Sequence, residues 1–438
     1  MNSKMQWLGV ALFGLWLAAD QPARAQGLTF TTNTYPVGTS PRSVTVADVN
    51  GDGYPDLISA NSGANSLTVL TNNGGGIFGL YATVQPVTNP VFVATASLNG
   101  TGKPALICAN GNNGTLTVVT NNGSGIFGSN ATLQVYGNPY SLAVINVSGS
   151  PELICANNNN QLIVFTYTPA GGFFPHASLG VGTAPEYLLA ADVNGDGSPD
   201  LITVNNGDDT LSVLTNNGSG VFSTASTPQL APNAGPVWVV ALDIYGTGKV
   251  ELVSANAGNN TLTILTNGGF GQFGSNATIN LPSTPTSLAT ADFNGDGEPD
   301  LAVAQTINSV LVLTNNGAGG FGSNTVVNFR VPQLSLAAMP INSSGLYDLI
   351  TANYTANELT VLTQNGVGRP LLKLTHPGLN SFVLTWVSPS TNFILQTNNN
   401  LATTNWFPAN LPVTTASGTN QSTLNPAPPG KLFFRLKQ

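Results

Sequence analysis

Short apolar stretches recur along this chain, each bounded by Asn, Gly, Asp or Pro. In one stretch, Tyr187 to Ala191 leads into an Asp/Gly-rich loop, and Leu201 to Val204 follows it. Asn205-Asn206-Gly207-Asp208 then reads as a turn, Leu211 to Thr215 as a further apolar stretch, and Asn216-Asn217-Gly218 as a second turn. Gly220-Val221-Phe222 opens a fourth stretch. Apolar runs this short, separated by residues that accept positive φ, predict antiparallel strands joined by tight turns. No segment sustains the 3.6-residue period of an amphipathic helix. The expected class is all-β.

The unit repeats. Ala47-Asp48-Val49-Asn50-Gly51-Asp52-Gly53-Tyr54-Pro55-Asp56-Leu57 recurs almost unchanged from Ala191 to Leu201 and from Ala291 to Leu301. Worn copies lie at Ser97 to Leu106, Asn146 to Leu153, Asp243 to Leu252 and around Ile341 to Leu349. The starts fall near 48, 97, 146, 192, 243, 292 and 340, a period of about 48 residues and a count of seven. Four short strands in a unit of roughly 40–50 residues is the pattern of a propeller blade; a leucine-rich repeat needs a period of about 20–29. The predicted fold is a seven-bladed β-propeller of four-stranded blades. Its last unit leaves the pattern after the third strand, at Leu359 to Gly366. Leu28 to Asn33 resembles fourth-strand segments such as Ala131 to Val135, so the N-terminal segment is expected to complete blade seven. That pairing removes two exposed sheet edges.

Composition narrows the function classes. Charged residues make up 7% of the 438, far below the usual share, so a helical cytosolic enzyme is a poor match. Eleven Lys and Arg against 19 Asp and Glu leave no basic footprint for nucleic acid. Lys4, the apolar run Trp7 to Ala19 and the small-x-small site Ala23-Arg24-Ala25 read as a signal peptide over residues 1–25, too short to span a bilayer. The protein is expected to be exported, extracellular or periplasmic, without a transmembrane segment, and monomeric. Cys108 and Cys155 occupy matched places in two copies of Leu-Ile-Cys-Ala-Asn, which reads as buried core rather than a disulfide.

The Asp/Asn loops carry the candidate chemistry. Calcium takes six to eight oxygens and needs a glycine for the sharp turn of a short loop. The first loop offers side-chain oxygens from Asp48, Asn50, Asp52 and Asp56, and the Tyr54 carbonyl, with Gly53 as the turn. The second offers Asp192, Asn194, Asp196, the Ser198 carbonyl and Asp200. The third offers Asp292, Asn294, Asp296, the Glu298 carbonyl and Asp300. Three carboxylates within one tight loop repel each other unless a cation neutralises them. Asx-type turns explain one Asp per loop, not three at fixed spacing in three copies. Three structural calcium ions are therefore expected. The unit with Ser97 and Ala105 in place of the outer carboxylates should hold none, nor should the unit that keeps Asp243 and Glu251 around Tyr245 and Thr247.

With these loops and the segment Asn121 to Gly128, the units resemble FG-GAP/VCBS repeats, the blades of the integrin α-subunit head and of many secreted bacterial propellers. The resemblance covers about residues 28–368. It implies a seven-bladed propeller with calcium between the first two strands of a blade.

From residue 371 the composition changes. The last 68 residues hold no Asp or Glu and four bases, Lys373, Lys431, Arg435 and Lys437. The propeller, 26–370, carries 18 acids against five bases. Strand-like runs at Ser381 to Trp386, Phe393 to Gln396 and Leu432 to Leu436 predict a small β-sandwich-like module over 371–438, with Trp386 and Trp406 serving its core or stacking on sugars. The two histidines, His176 and His376, adjoin no acidic motif, and no nucleophile elbow or phosphate loop is present. A binding or adhesion scaffold for an extracellular protein or glycan is the expected function. The alternative is a polysaccharide lyase or hydrolase on a propeller scaffold. The Asn-rich turns between second and third strands are expected on the face opposite the calcium loops, where they form a candidate polar docking surface.

Overall fold

The computed structural model describes residues 28–365, apart from positions 86, 99–102, 124–125, 148 and 170–171, and the strands between 373 and 437 with a few flanking positions. The expected signal peptide and Trp406 lie outside the described residues. Every described regular element is a strand, and no helix there is long and apolar enough to cross a membrane. The chain divides into two units, 25–366 and 367–438.

Within 25–366, seven four-stranded antiparallel sheets follow one another. Blade one runs through Pro41–Ala47, Asp56–Asn61, Ser66–Asn72 and Phe78–Val84. Blades two to six span 90–134, 139–180, 185–226, 236–280 and 285–328. Blade seven is built from Gln333–Met339, Asp348–Asn353, Glu358–Asn365 and, as its fourth strand, Thr29–Pro36. The closing pair runs in unbroken antiparallel register from Thr29 opposite Asn365 to Pro36 opposite Glu358. The expected N-terminal closure is thus present, and it runs on to Pro36, three residues past Asn33.

Burial grades across each blade. The second strand is buried at every position in six blades, as in Asp56–Asn61 and Asp300–Gln305, and at all but its first two positions in blade three. The fourth strand is the most exposed, with no buried position in Thr29–Pro36 or Phe222–Ser226. Middle strands read as continuous apolar runs because neighbouring blades cover both of their faces. The core accordingly lies between blades: Ile58 and Val69 of blade one pack with Val93, Leu106 and Val119 of blade two. Each first strand begins with Pro, except Gln333 in blade seven, and carries a bulge immediately after it. A strand's first residue is where a missing N–H is tolerated.

Each second strand ends in a buried amide. Asn61 Nδ2 donates to Thr68 Oγ1 at 2.9 Å, and Asn110, Asn205 and Asn256 make the same bond to Thr117, Ser212 and Thr263 at 2.8–3.0 Å. In blades one, two, four, five and seven the third strand supplies a hydroxyl residue to this amide, whereas Asn157 and Gln305 turn to the Val135 and Ser283 carbonyls. Cys108 and Cys155 are free, buried thiols in two different inter-blade cores, and burial pushes both upward in pKa.

The C-terminal unit contains a four-stranded sheet, ordered Lys373–Gly378, Ser381–Val387, Thr419–Leu424, Thr414–Ala416, and a three-stranded sheet, ordered Phe407–Pro408, Ile394–Asn398, Phe433–Lys437. The run Ser381 to Trp386 falls within a strand, and the other two overlap Ile394–Asn398 and Phe433–Lys437, with Phe393 and Leu432 outside the described residues.

Candidate metal loops and the belt behind them

The three full loops join first to second strands in blades one, four and six. They fold alike. Asp48 Oδ1 accepts from Gly51 N–H at 2.5 Å and Asp52 N–H at 3.2 Å, while Oδ2 accepts from Gly53 N–H at 2.9 Å. Asp192 receives Gly195, Asp196 and Gly197 at 2.7, 3.2 and 2.8 Å, and Asp292 receives Gly295, Asp296 and Gly297 at 2.7, 3.1 and 2.8 Å. Wrapping the backbone around one carboxylate needs a left-handed step, which Gly51 takes at φ 80° and Gly53 at φ 88°. Asn50, Asn194 and Asn294 each donate to the next carboxylate, Asp52, Asp196 and Asp296, at 2.8–2.9 Å. Those carboxylates in turn accept the N–H of Tyr54, Ser198 and Glu298 at 2.8–2.9 Å.

The last acid of each loop differs from the other two. Asp56, Asp200 and Asp300 are fully buried. Burial raises the pKa of all three, Asp300 to about 7, while neighbouring carboxylates add to the rise and accepted N–H bonds oppose it. Asp196, exposed and hydrogen-bonded to Ser198 N–H, is lowered instead. Among the described residues no three carboxylate, imidazole or thiol side chains stand together as a metal-holding group. Along its length each loop nevertheless carries three carboxylates, one amide and one backbone carbonyl, an all-oxygen inventory whose donor chemistry suits a hard cation although the carboxylates are not drawn to one point. In blade one, the Lys103 ammonium of blade two also donates to the Asn50 carbonyl.

The buried acid has a second role that sequence reasoning missed. Asp56 Oδ2 accepts Val49 N–H and Oδ1 accepts Asn72 N–H, both at 2.9 Å, so it ties its loop to the end of the third strand. Asp348 makes the same two bonds, from Ile341 at 3.1 Å and Gln364 at 2.8 Å, although blade seven lacks the other loop carboxylates. Glu251 holds Ile244 N–H at 3.0 Å in blade five. The retention of an acid here in worn units was the available signal.

These acids are links in a belt between blades. The tied loop residue offers its carbonyl to the side-chain amide that ends the third strand of the next blade. Asn72 reaches Ile341 O at 2.7 Å, Asn121 reaches Val49 O at 2.8 Å and Asn267 reaches Val193 O at 2.8 Å. Asn315 reaches Ile244 O at 2.9 Å and Gln364 reaches Phe293 O at 2.7 Å. The belt thus crosses the seams four/five, five/six, six/seven, seven/one and one/two.

On the opposite face, the Asn-rich turns are heavily engaged. Asn65, Asn160, Asp209, Asn260 and Asn357 stand at positive φ. Asn65, Asn160 and Asn357 accept the N–H of Asn89, Ala184 and Ser40 at 2.7–3.0 Å, each in the next blade's approach segment, and Asp209 accepts Asn233 and Gly235 N–H. These side chains serve the turns and the joints between blades, which leaves less of the face for docking than the sequence suggested.

Family models match on these same stretches. An FG-GAP-like repeat model covers residues 145–203, 192–253 and 243–303, and an FG-GAP repeat model covers 40–78. Over those residues the blades match FG-GAP repeats. Among solved structures, BBS1N in complex with ARL6DN is similar over 78% of this chain and 98% of its own, with 16% identity and a TM-score of 0.58. Raptor of Chaetomium thermophilum is similar over 78% of this chain but 29% of its own, with 12% identity and a TM-score of 0.57. At such identities the likeness is one of fold alone. No curated protein matches the chain by sequence.

Proposed function

We propose that this propeller is exported and acts as a binding or adhesion scaffold for an extracellular protein or glycan, with calcium stiffening three of its loops. The observation that carries the reading is one oxygen donor set recurring in blades one, four and six. Calcium would be held by Asp48, Asn50, Asp52, Asp56 and the Tyr54 carbonyl, and by the matching residues of the other two loops. Its contribution there is charge neutralisation. The chain's own backbone shapes each loop, as the worn loop of blade five illustrates: Asp243 still accepts Thr247 and Gly248 N–H at 2.9 and 2.7 Å. A propeller of this architecture, BBS1N, was solved against a protein partner, ARL6DN, which supports the use of such a ring for docking.

Two measurements test the reading. Calorimetric titration of the mature chain should give saturable calcium binding approaching three equivalents, and chelation should lower the melting temperature by several degrees. A glycan array and a pull-down, each run with calcium and with chelator, should yield a partner that chelation releases. No saturable calcium binding sinks the metal assignment; a folded, calcium-loaded chain without any partner sinks the scaffold.

A further inference from the structure

The bore of the ring breaks the repeat's own rule. One position of the first strand, opposite the small residue before each terminal Asn or Gln of the second strand, is Ser43, Ser141, Ser287 and Ser335 in blades one, three, six and seven. In blades two, four and five the same position is Phe92, Tyr187 and Trp238. The serines join blades: Ser335 Oγ accepts Val44 N–H at 3.3 Å, Ser141 Oγ accepts Leu188 N–H at 3.2 Å and Ser287 Oγ accepts Leu336 N–H at 3.1 Å. The aromatics line one cavity together. Tyr187 and Trp238 stack with centroids 3.8 Å apart at 18°, and Phe92 tilts against Tyr187 at 6.2 Å.

They do not fill it. A cavity of about 310 Å³ remains, walled on one side by these rings and on the other by Ser43, Thr45 and Ser335. Its volume lies at the lower end of small-molecule sites, about 300–1,000 Å³. No carboxylate and no cation lines it, so a charged ligand would find no counter-charge. A hydroxyl that accepts an N–H, as Ser335 does, keeps its own proton to donate. A ring with one apolar face and a polar rim matches an aromatic wall set across from hydroxyls.

We propose that the bore is a binding site for one uncharged sugar ring, its C–H face against Phe92, Tyr187 and Trp238 and its hydroxyls toward Ser43, Thr45 and Ser335. The proposal rests on the scaffold reading above and narrows the partner to a neutral glycan.

The test is saturation-transfer NMR on the full chain in calcium, with glucose, galactose, mannose and N-acetylglucosamine as probes and glucuronate as the charged control. At least one neutral sugar should bind saturably and better than glucuronate. Trp238→Leu should weaken it about tenfold and the isosteric Thr45→Val about threefold, with unchanged melting temperature for the latter. The bore site is overturned if the folded chain binds none of the neutral sugars, or if binding survives both substitutions. In either case a partner recovered on the array or pull-down, released by chelator but not by Trp238→Leu, keeps the scaffold reading intact.

Discussion

The seam between blades one and two and the seam between blades two and three join similar sheets by different chemistry. At the first, Asn121 of blade two reaches across to the Val49 carbonyl, whose N–H is already held by Asp56. At the second, both halves of that device are gone. Ala105 stands where the acid belongs, and Tyr167 stands at the register of the amide. Apolar packing takes over: Phe165 is almost fully buried with Leu98, Leu116 and Val135 of blade two, and Tyr167 packs on Phe173 with centroids 5.1 Å apart. Blade three keeps an acid, Glu152, but one buried oxygen finds no hydrogen-bond partner among the described residues. A polar belt is directional and fixes how one blade sits on the next, whereas an apolar seam depends on shape and area. The molecule therefore has a specified arc, from blade four through seven and one to two, and a greasier joint around blade three.

That contrast can be broken at several places. The largest effect should come from deleting Thr29–Pro36, which strips the fourth strand from blade seven and opens an edge in the specified arc. The truncated chain should aggregate or lose its cooperative melt; a monomer as stable as the parent by size exclusion and calorimetry would refute closure by this strand. Next comes Asp348→Ala, which leaves the N–H groups of Ile341 and Gln364 without their acceptor. At about 1–3 kcal/mol for each buried group left unpaired, the urea midpoint should fall clearly, by a ΔΔG of about 3 kcal/mol. Asp348 lies in a loop without the full donor set, so calcium should leave that loss unchanged.

Glu152→Gln sharpens the comparison from the other side and should be the mildest change. Desolvation by burial raises this carboxyl above its ordinary 4.5, with the Thr166 hydroxyl bond and the His176 charge opposing. A folded-state pKa above the unfolded value means the native state holds its proton more tightly. The stability it contributes is present below about pH 4.5 and is lost as pH rises toward the folded value. The amide should therefore be neutral or stabilising at pH 7, and should flatten that portion of the stability profile in pH-dependent urea melts. A substantial destabilisation at pH 7 would mean that the charge is partnered after all.

Much of the ring was readable beforehand because a period reports which residues are equivalent. Three Asp/Asn loops, the turns and the orphan strand at Leu28 to Asn33 all announce themselves by resemblance to other copies. A period does not report which equivalents meet. Asn315 bonds Ile244 from 71 residues away and Asn72 bonds Ile341 from 269, and neither distance follows from the spacing. For the same reason Asp56, Asp200 and Asp300 were legible as oxygen donors but not as fasteners for strand and loop. The aromatic wall escaped notice because Phe92, Tyr187 and Trp238 each look like one more apolar strand residue; only the closed ring sets them side by side.

The closing strand also imposes an order in time. The Thr31 hydroxyl bonds Asn365, 334 positions later, so the first propeller strand to leave the ribosome must wait for the last. At roughly 5–20 residues per second, that wait is on the order of tens of seconds. Blades one to six each hold all four strands in one continuous stretch and can form as they emerge, while both open edges persist until synthesis has passed residue 365. A nascent chain of this design spends most of its synthesis as an unclosed arc, and early termination anywhere within blade seven would leave it as one.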